Sequence, residues 1–187
     1  MDLLIKKAKK GDKEAFVGLM KANELPLYKV AKSILKNDED VADAMQETIL
    51  SALENIQKLK NNNYFKTWIT KILINKCNDI LRKNSKIIQM EEYFDEGYTK
   101  DFIQSMSLKE GIETLSKEQR LVLHLYYVMG FNCREISEML KEKESTVKVR
   151  LSRSRGKLKD FFENHINEKK KPRYINKNIN EERFNKQ

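Results

Sequence analysis

The chain has 187 residues, with 37 Lys plus Arg against 28 Asp plus Glu and a formal net charge of +9. That length suits one medium domain or two small ones, and the basic excess favours a polyanionic partner, nucleic acid or an anionic membrane surface. Cys77 and Cys133 offer neither a disulfide framework nor metal-ligand spacing, no apolar run approaches the roughly 18 residues of a membrane span, and no signal-peptide core follows the N-terminus, so the expected setting is a reducing cytoplasm without direct membrane insertion.

Two Pro and six Gly in the whole chain predict mostly helix. DLLIKKAKK reads as a short amphipathic helix stopped by Gly11. Asp12 can cap the next helix, whose apolar face is Ala15, Phe16, Leu19 and Met20. Pro26 interrupts that pattern, so the helix must kink there or restart, with Asn23 as the candidate cap. Leu27 to Leu35 then continues a helical face. Asn37 or Asp38 starts a third helix with a predicted buried stripe of Val41, Met45, Thr48, Ile49, Ala52, Leu53 and Ile56. Its other face carries Asp38, Glu39, Asp40, Asp43, Glu47 and Glu54, with no Lys or Arg among them. Such a face is either solvated, with acids placed favourably near a helix N-terminus, or a docking face for a basic partner.

NNNYFK is a polar loop. It leads into FKTWITKILINKCNDILRK, a helix with the stripe Phe65, Trp68, Ile69, Ile72, Leu73, Ile80 and Leu81. Trp68 lies in that stripe and reads as a packing residue. Tyr64 and the three Asn residues before it have the groups to stack on and hydrogen-bond an unpaired base. Asp79 and Arg82, at i and i+3, read as a local ion pair. Ser85 to Gly111 has weak periodicity and singly spread aromatics (Tyr93, Phe94, Tyr98, Phe102) and reads as a linker, partly helical near its end. Ser116 with Gln119 forms a capping box that opens a second unit, with Val122, Leu125, Tyr126 and Met129 on its face and Gly130 as the stop. Asn132 with Glu135 makes a second capping box, followed by a short helix facing inward through Ile136, Met139 and Leu140.

The stretch STVKVRLSRSRGKLK, Ser145 to Lys159, holds six basic residues and no acidic one. Val147, Leu151 and Leu158 recur at helical spacing, so one face is apolar and the other cationic. Two short helices, the second basic, predict a helix-turn-helix that places its second helix in the major groove. Ser145 and Thr146 allow close approach at the N-terminal turn, Lys148, Ser152 and Arg153 can reach base edges, and Arg150 and Arg155 flank them toward phosphates. Beyond Phe162 the chain is Asn- and Lys-rich and is expected to be disordered. No catalytic constellation emerges. His124 reads as a packed or surface residue, and no phosphate loop, nucleophile elbow or metal-binding pair is present. Neither a metal, nor a cofactor, nor an enzymatic activity is expected.

Three motifs in order, AKKGDKEAF, DVADAMQETIL and FKTWITKILINKCNDILR, are followed by LSKEQRLVLHLYYVMGFNCREISEML and STVKVRLSRSRGKL. With these the chain resembles an extracytoplasmic-function (ECF) sigma factor of the sigma-70 family, a small promoter-recognition subunit of bacterial RNA polymerase. The resemblance implies an all-α fold of two small helical domains joined by a flexible linker. Residues 1–86 would be sigma region 2, 87–111 the linker, 112–164 the region 4 helix-turn-helix, and 165–187 a polar tail. It implies that Asp43, Gln46 and Glu47 dock on the clamp of the largest subunit of core RNA polymerase. Asn62, Asn63, Tyr64 and Lys66, with Trp68 and Lys71, would read the melted minus-ten element. Asn75, Asp79 and Arg82 match an N-x-x-x-D-x-x-R pattern that holds this helix. Ser145, Thr146, Lys148, Ser152 and Arg153 would read the minus-thirty-five element, with Arg150 and Arg155 on the DNA backbone. A membrane-bound anti-sigma factor is a further implied partner.

The turn of the helix-turn-helix departs from the family pattern of Gly, an aliphatic residue and Ser, having Lys141, Glu142 and Lys143 instead. A non-glycine there costs about 1 kcal/mol if the position takes a positive φ. The N-cap would pass to Ser145 or Glu144. Two rival readings differ in what they need. A stand-alone helix-turn-helix regulator of duplex operators needs neither a docking face nor a base-reading loop, and an enzyme acting on nucleic acid needs a reactive cluster.

Overall fold

The computed structural model describes residues 1–87 and 103–170, with side chains described for 1–84 and 108–164. The middle of the expected linker, with Tyr93, Phe94, Tyr98 and Phe102, and residues 171–187 of the expected tail lie outside the described residues. Those described fold into eight α-helices and two 3-10 turns, with no strand among them.

Helix α1 (Asp2–Lys9) ends before Gly11, whose φ of +93° turns the chain into α2 (Lys13–Ile34). Asp12 caps α2 by accepting from the Ala15 N–H at 2.9 Å. The chain does not restart at Pro26, because α2 runs straight through it. Asn23 is buried inside the helix and its Nδ2 donates to the Leu19 carbonyl at 2.8 Å, so it caps nothing. Proline removes one bond, to the carbonyl of the exposed Ala22, where water can serve instead. Leu27, Val30, Ala31 and Ile34 continue the buried face beyond it, and that burial outweighs the lost bond.

Asn37 caps α3 (Asp38–Asn55) through its Oδ1 and the Glu39 N–H. The buried stripe of α3 is Val41, Ala44, Thr48 and Ala52. Ile49 and Leu53, expected inside, are exposed, as is Leu50, while Met45 is half-buried. Period alone could not decide which apolar side of this helix faces the core. Short 3-10 turns at Ile56–Lys58 and Asn62–Tyr64 lead into α4 (Phe65–Ile87). Phe65, Ile69, Leu73, Ile74 and Cys77 of α4 are buried against α2 and α3, and burial pushes the Cys77 thiol up to about 12. That thiol stays protonated and inert.

Helix α5 (Ile103–Glu113) lies on α8 (Glu144–Lys170), with Gly111 against Leu158 and Phe161. Helix α8 is longer than expected: residues 163–170, part of the stretch beyond Phe162 expected to be disordered, continue it. The Ser116–Gln119 capping box opens α6 (Lys117–Tyr127), and the Asn132–Glu135 box opens α7 (Cys133–Leu140). Between them Gly130 takes a φ of +73°. Helix α6 packs along α2, so Val122, Leu125 and Met129 join the core built by the first four helices. The two helical units meet along that seam.

Candidate nucleic-acid and polymerase interfaces

The helix-turn-helix is built around Ile136, Met139, Val147 and Leu151, all buried where α7 packs on α8. Its turn begins at Lys141, with φ +55° and ψ +42°, the left-handed region. A lysine there carries the cost foreseen for the missing glycine. The N-cap is Lys143, whose carbonyl accepts from Thr146 and Val147, so neither Ser145 nor Glu144 takes the cap. Both lie within the first turn, where the Glu144 carboxylate favours a helix N-terminus.

Around α8, Val147, Leu151 and Ser154 point into the domain. Ser154 Oγ donates to the Arg150 carbonyl at 2.8 Å and reaches the Gln119 carbonyl of α6 at 3.5 Å. The opposite face is open: Ser145, Thr146, Lys148, Val149, Ser152 and Arg153 are all exposed. Lys148 Nζ lies 2.7 Å from Glu144, and an exposed pair of this kind is easily exchanged for a phosphate. Arg153 has no ion-pair partner among the described residues.

The two flanking arginines are held. Arg150 Nη1 lies 3.0 and 2.9 Å from the two Glu142 oxygens, tying the atypical turn to the helix that follows. Arg155 Nε donates to Tyr127 Oη at 2.8 Å, and its guanidinium lies 5.3 Å from the Tyr126 ring centre. Partners eight and twenty-eight residues away in sequence left no local signal.

The loop before α4 is also more structured than its composition foretold. Asn61 caps the 3-10 turn by accepting from the Asn63 N–H at 2.9 Å. Asn62 is half-buried and committed to α1: its Nδ2 donates to Asp2 at 2.9 Å and its Oδ1 accepts from Lys9 at 3.4 Å. Lys9 Nζ also donates to the Leu59 carbonyl at 2.6 Å. Asn62 therefore anchors the loop. Asn63, Tyr64, Lys66 and Lys71 are exposed, with Tyr64 at 61 %. Trp68 is half-buried, its ring 5.9 Å from that of Phe65. Lys66 Nζ lies 5.9 Å from the Phe131 ring centre of the second unit.

On α3, Asp43 and Gln46 are exposed, and Glu47 pairs with Lys76 of α4 at 3.0 Å. These three and Leu50 line one side of a groove of about 750 Å³, with Lys76, Asp79 and Lys83 across it. Asp79 pairs with Arg82 as the spacing predicted. Leu50 and Leu53, at 55 and 51 % exposure, add an apolar patch to the acidic face. Sequence reasoning missed it by assigning Leu53 to the core.

Two parts of the chain match known families: residues 19–87 match sigma-70 region 2, and residues 105–158 match sigma-70 region 4. The RNA polymerase sigma factor SigV of Bacillus subtilis is 30% identical over 151 residues, which cover 79% of this chain and 91% of that protein. The chain belongs to the sigma-70 family, among its ECF sigma factors. The ECF sigma factor SigW of Bacillus subtilis is 29% identical over 85% of this chain and 97% of its own length. A shared fold is seen with CnrH, solved in complex with the cytosolic domain of CnrY, at TM-score 0.62 and 21% identity over 87% of this chain and 97% of that one. The same holds for the sigma factor RpoE of Bartonella quintana, solved with the anti-sigma factor NepR, at TM-score 0.62 and 21% identity over 78% of this chain and 97% of that one. As an alternative sigma factor the protein acts in transcription initiation, with core RNA polymerase and promoter DNA as its partners. No helix among the described residues is long and apolar enough to cross a membrane.

Proposed function

We propose that the open face of α8 reads the minus-thirty-five element as duplex, while the loop before α4 reads the melted minus-ten element. The observation that carries this is the division of α8. Val147, Leu151 and Ser154 are buried on one side, and Ser145, Thr146, Lys148, Ser152 and Arg153 are exposed on the other. A helix anchored in this way presents base-reading side chains without loss of its core. Arg155 on its tyrosine pair and Arg150 on Glu142 stand at the flanks. In that position they would set the register on the DNA backbone, which positions rather than specifies.

Asn63, Tyr64 and Lys66 would take the melted strand, with Lys71 and the edge of Trp68 further along α4. An exposed Tyr beside an amide has the groups to stack on a flipped base and bond its edge. Asn62 would hold the loop in place from behind. Asp43 and Gln46, with Glu47 and the Leu50–Leu53 patch, would form the docking face for the clamp of the polymerase's largest subunit. The protein works without a cofactor, metal or catalytic residue of its own, in the cytoplasm, and its remaining partner is an anti-sigma factor held at the membrane. Residues 1–86 and 112–164 would act as the two working domains, with 87–111 as the linker between them and 165–187 as a tail beyond.

Run-off transcription with core polymerase on a genomic fragment library tests this reading. Transcripts should start a fixed distance downstream of two shared elements. Starts that share no upstream element would remove the role given to α8.

A further inference from the structure

Val149 stands apart from its surroundings. It is an aliphatic residue, 48 % exposed, on a face otherwise made of hydroxyls and cations. At 100° per residue it lies almost opposite the buried Val147 and Leu151, so it marks the outermost line of α8. Of its neighbours on that face, Ser145 at i−4 and Ser152 at i+3 are short, while Arg153 at i+4 is long and exposed. The branched side chain is also stiff in a helix, so its methyls are fixed in direction. In the duplex major groove one feature alone is apolar, the thymine C5 methyl, and a small aliphatic group is its natural complement.

We propose that Val149 packs on the C5 methyl of one thymine in the upstream promoter element, and so selects an A·T pair there. This rests on α8 being the helix that enters the groove. It adds a specificity-determining residue that reads shape where Arg153 and Lys148 read hydrogen-bond acceptors.

The test uses holoenzyme made from the full chain and core polymerase, on a promoter recovered by the run-off experiment. Each thymine of the upstream element is replaced in turn by deoxyuridine, which keeps the pairing and removes only the methyl. Wild-type holoenzyme should lose roughly fourfold in promoter affinity at one thymine, the worth of one buried methyl-sized group. Val149→Ala should lose a similar factor on the unmodified promoter and nothing more at that thymine. Alanine is the better helix former, so α8 remains folded in this variant. The proposal is overturned if wild type is indifferent to every deoxyuridine, or if Val149→Ala remains as sensitive as wild type. Single-pair substitutions read with Arg153→Ala separate the two levels. If that variant changes base preference while Val149→Ala does not, only the thymine contact is wrong. If neither changes any upstream preference, α8 does not read this element and both statements fall.

Discussion

Arg153 is a long cation on the open face of α8 that no acid among the described residues engages, whereas Arg150 and Arg155 on its flanks are already held. Arg153→Ala should therefore cost about 1–3 kcal/mol of discrimination at one base pair of the upstream element. Binding measured across single-pair variants checks this, and uniform weakening across all of them would assign Arg153 to phosphate. Lys141 makes a different kind of prediction. Its φ of +55° is the one positive value at a non-glycine among the described residues. Lys141→Gly should raise stability by about 0.5–1 kcal/mol, the relief of left-handed strain less the extra freedom glycine gives the unfolded chain. A urea titration shows the sign directly, and a lower midpoint would mean that the lysine side chain earns its place in some other way. Caps and boxes were legible from sequence because each is a bargain struck within three residues, as at Asp12, Asn37, Ser116 and Asn132. The roles of Asn62, Arg150 and Arg155 were not, because their partners come from other elements.

At the scale of elements, α3 shows why periodicity reads a helix better than it reads its surroundings. The spacing of apolar residues announced a helix correctly, yet its inner face is lined by Ala44 and Ala52 and its outer face by Ile49, Leu50 and Leu53. Small residues let α2 and α4 approach α3 closely, and the larger ones stay exposed. Helix α2 gives the complementary lesson. Pro26 signals a break locally, but ten buried residues spread along α2 hold it as one rod. The acidic and apolar outer face of α3 leads to a clean substitution. Asp43→Arg together with Glu47→Arg should abolish co-purification with core polymerase. The fold should survive, because the exposed Glu47–Lys76 pair is worth under about 1 kcal/mol. An unchanged melting temperature with lost co-purification is the expected pair of results, and normal co-purification would sink the docking assignment.

At the scale of the molecule, the seam between α2 and α6 was invisible in the sequence, since no local pattern says which amphipathic helices choose each other. His124 lies on α6, with its Nδ1 2.8 Å from the Arg120 carbonyl, so that nitrogen carries the proton and donates. Burial holds its titration below the ordinary 6.5, against the pull of that carbonyl and with help from the charges of Lys29 and Arg120. The unfolded chain thus takes up protons first as the pH falls. The stability that neutral His124 contributes is whole above 6.5 and is lost as the pH drops below it toward the folded value. Urea midpoints at about pH 7.5 and about pH 5.5 should differ more in the wild type than in His124→Gln. The same seam brings Lys66, beside the loop assigned to the melted strand, against Phe131 at the threshold of the helix-turn-helix. The minus-ten and minus-thirty-five elements lie more than two duplex turns apart, each about 34 Å. If the loop and α8 read those two elements, the seam between α2 and α6 would have to part for one chain to reach both. A substitution that tightens the seam would then raise stability and slow promoter binding together, because the open form would be the rarer one.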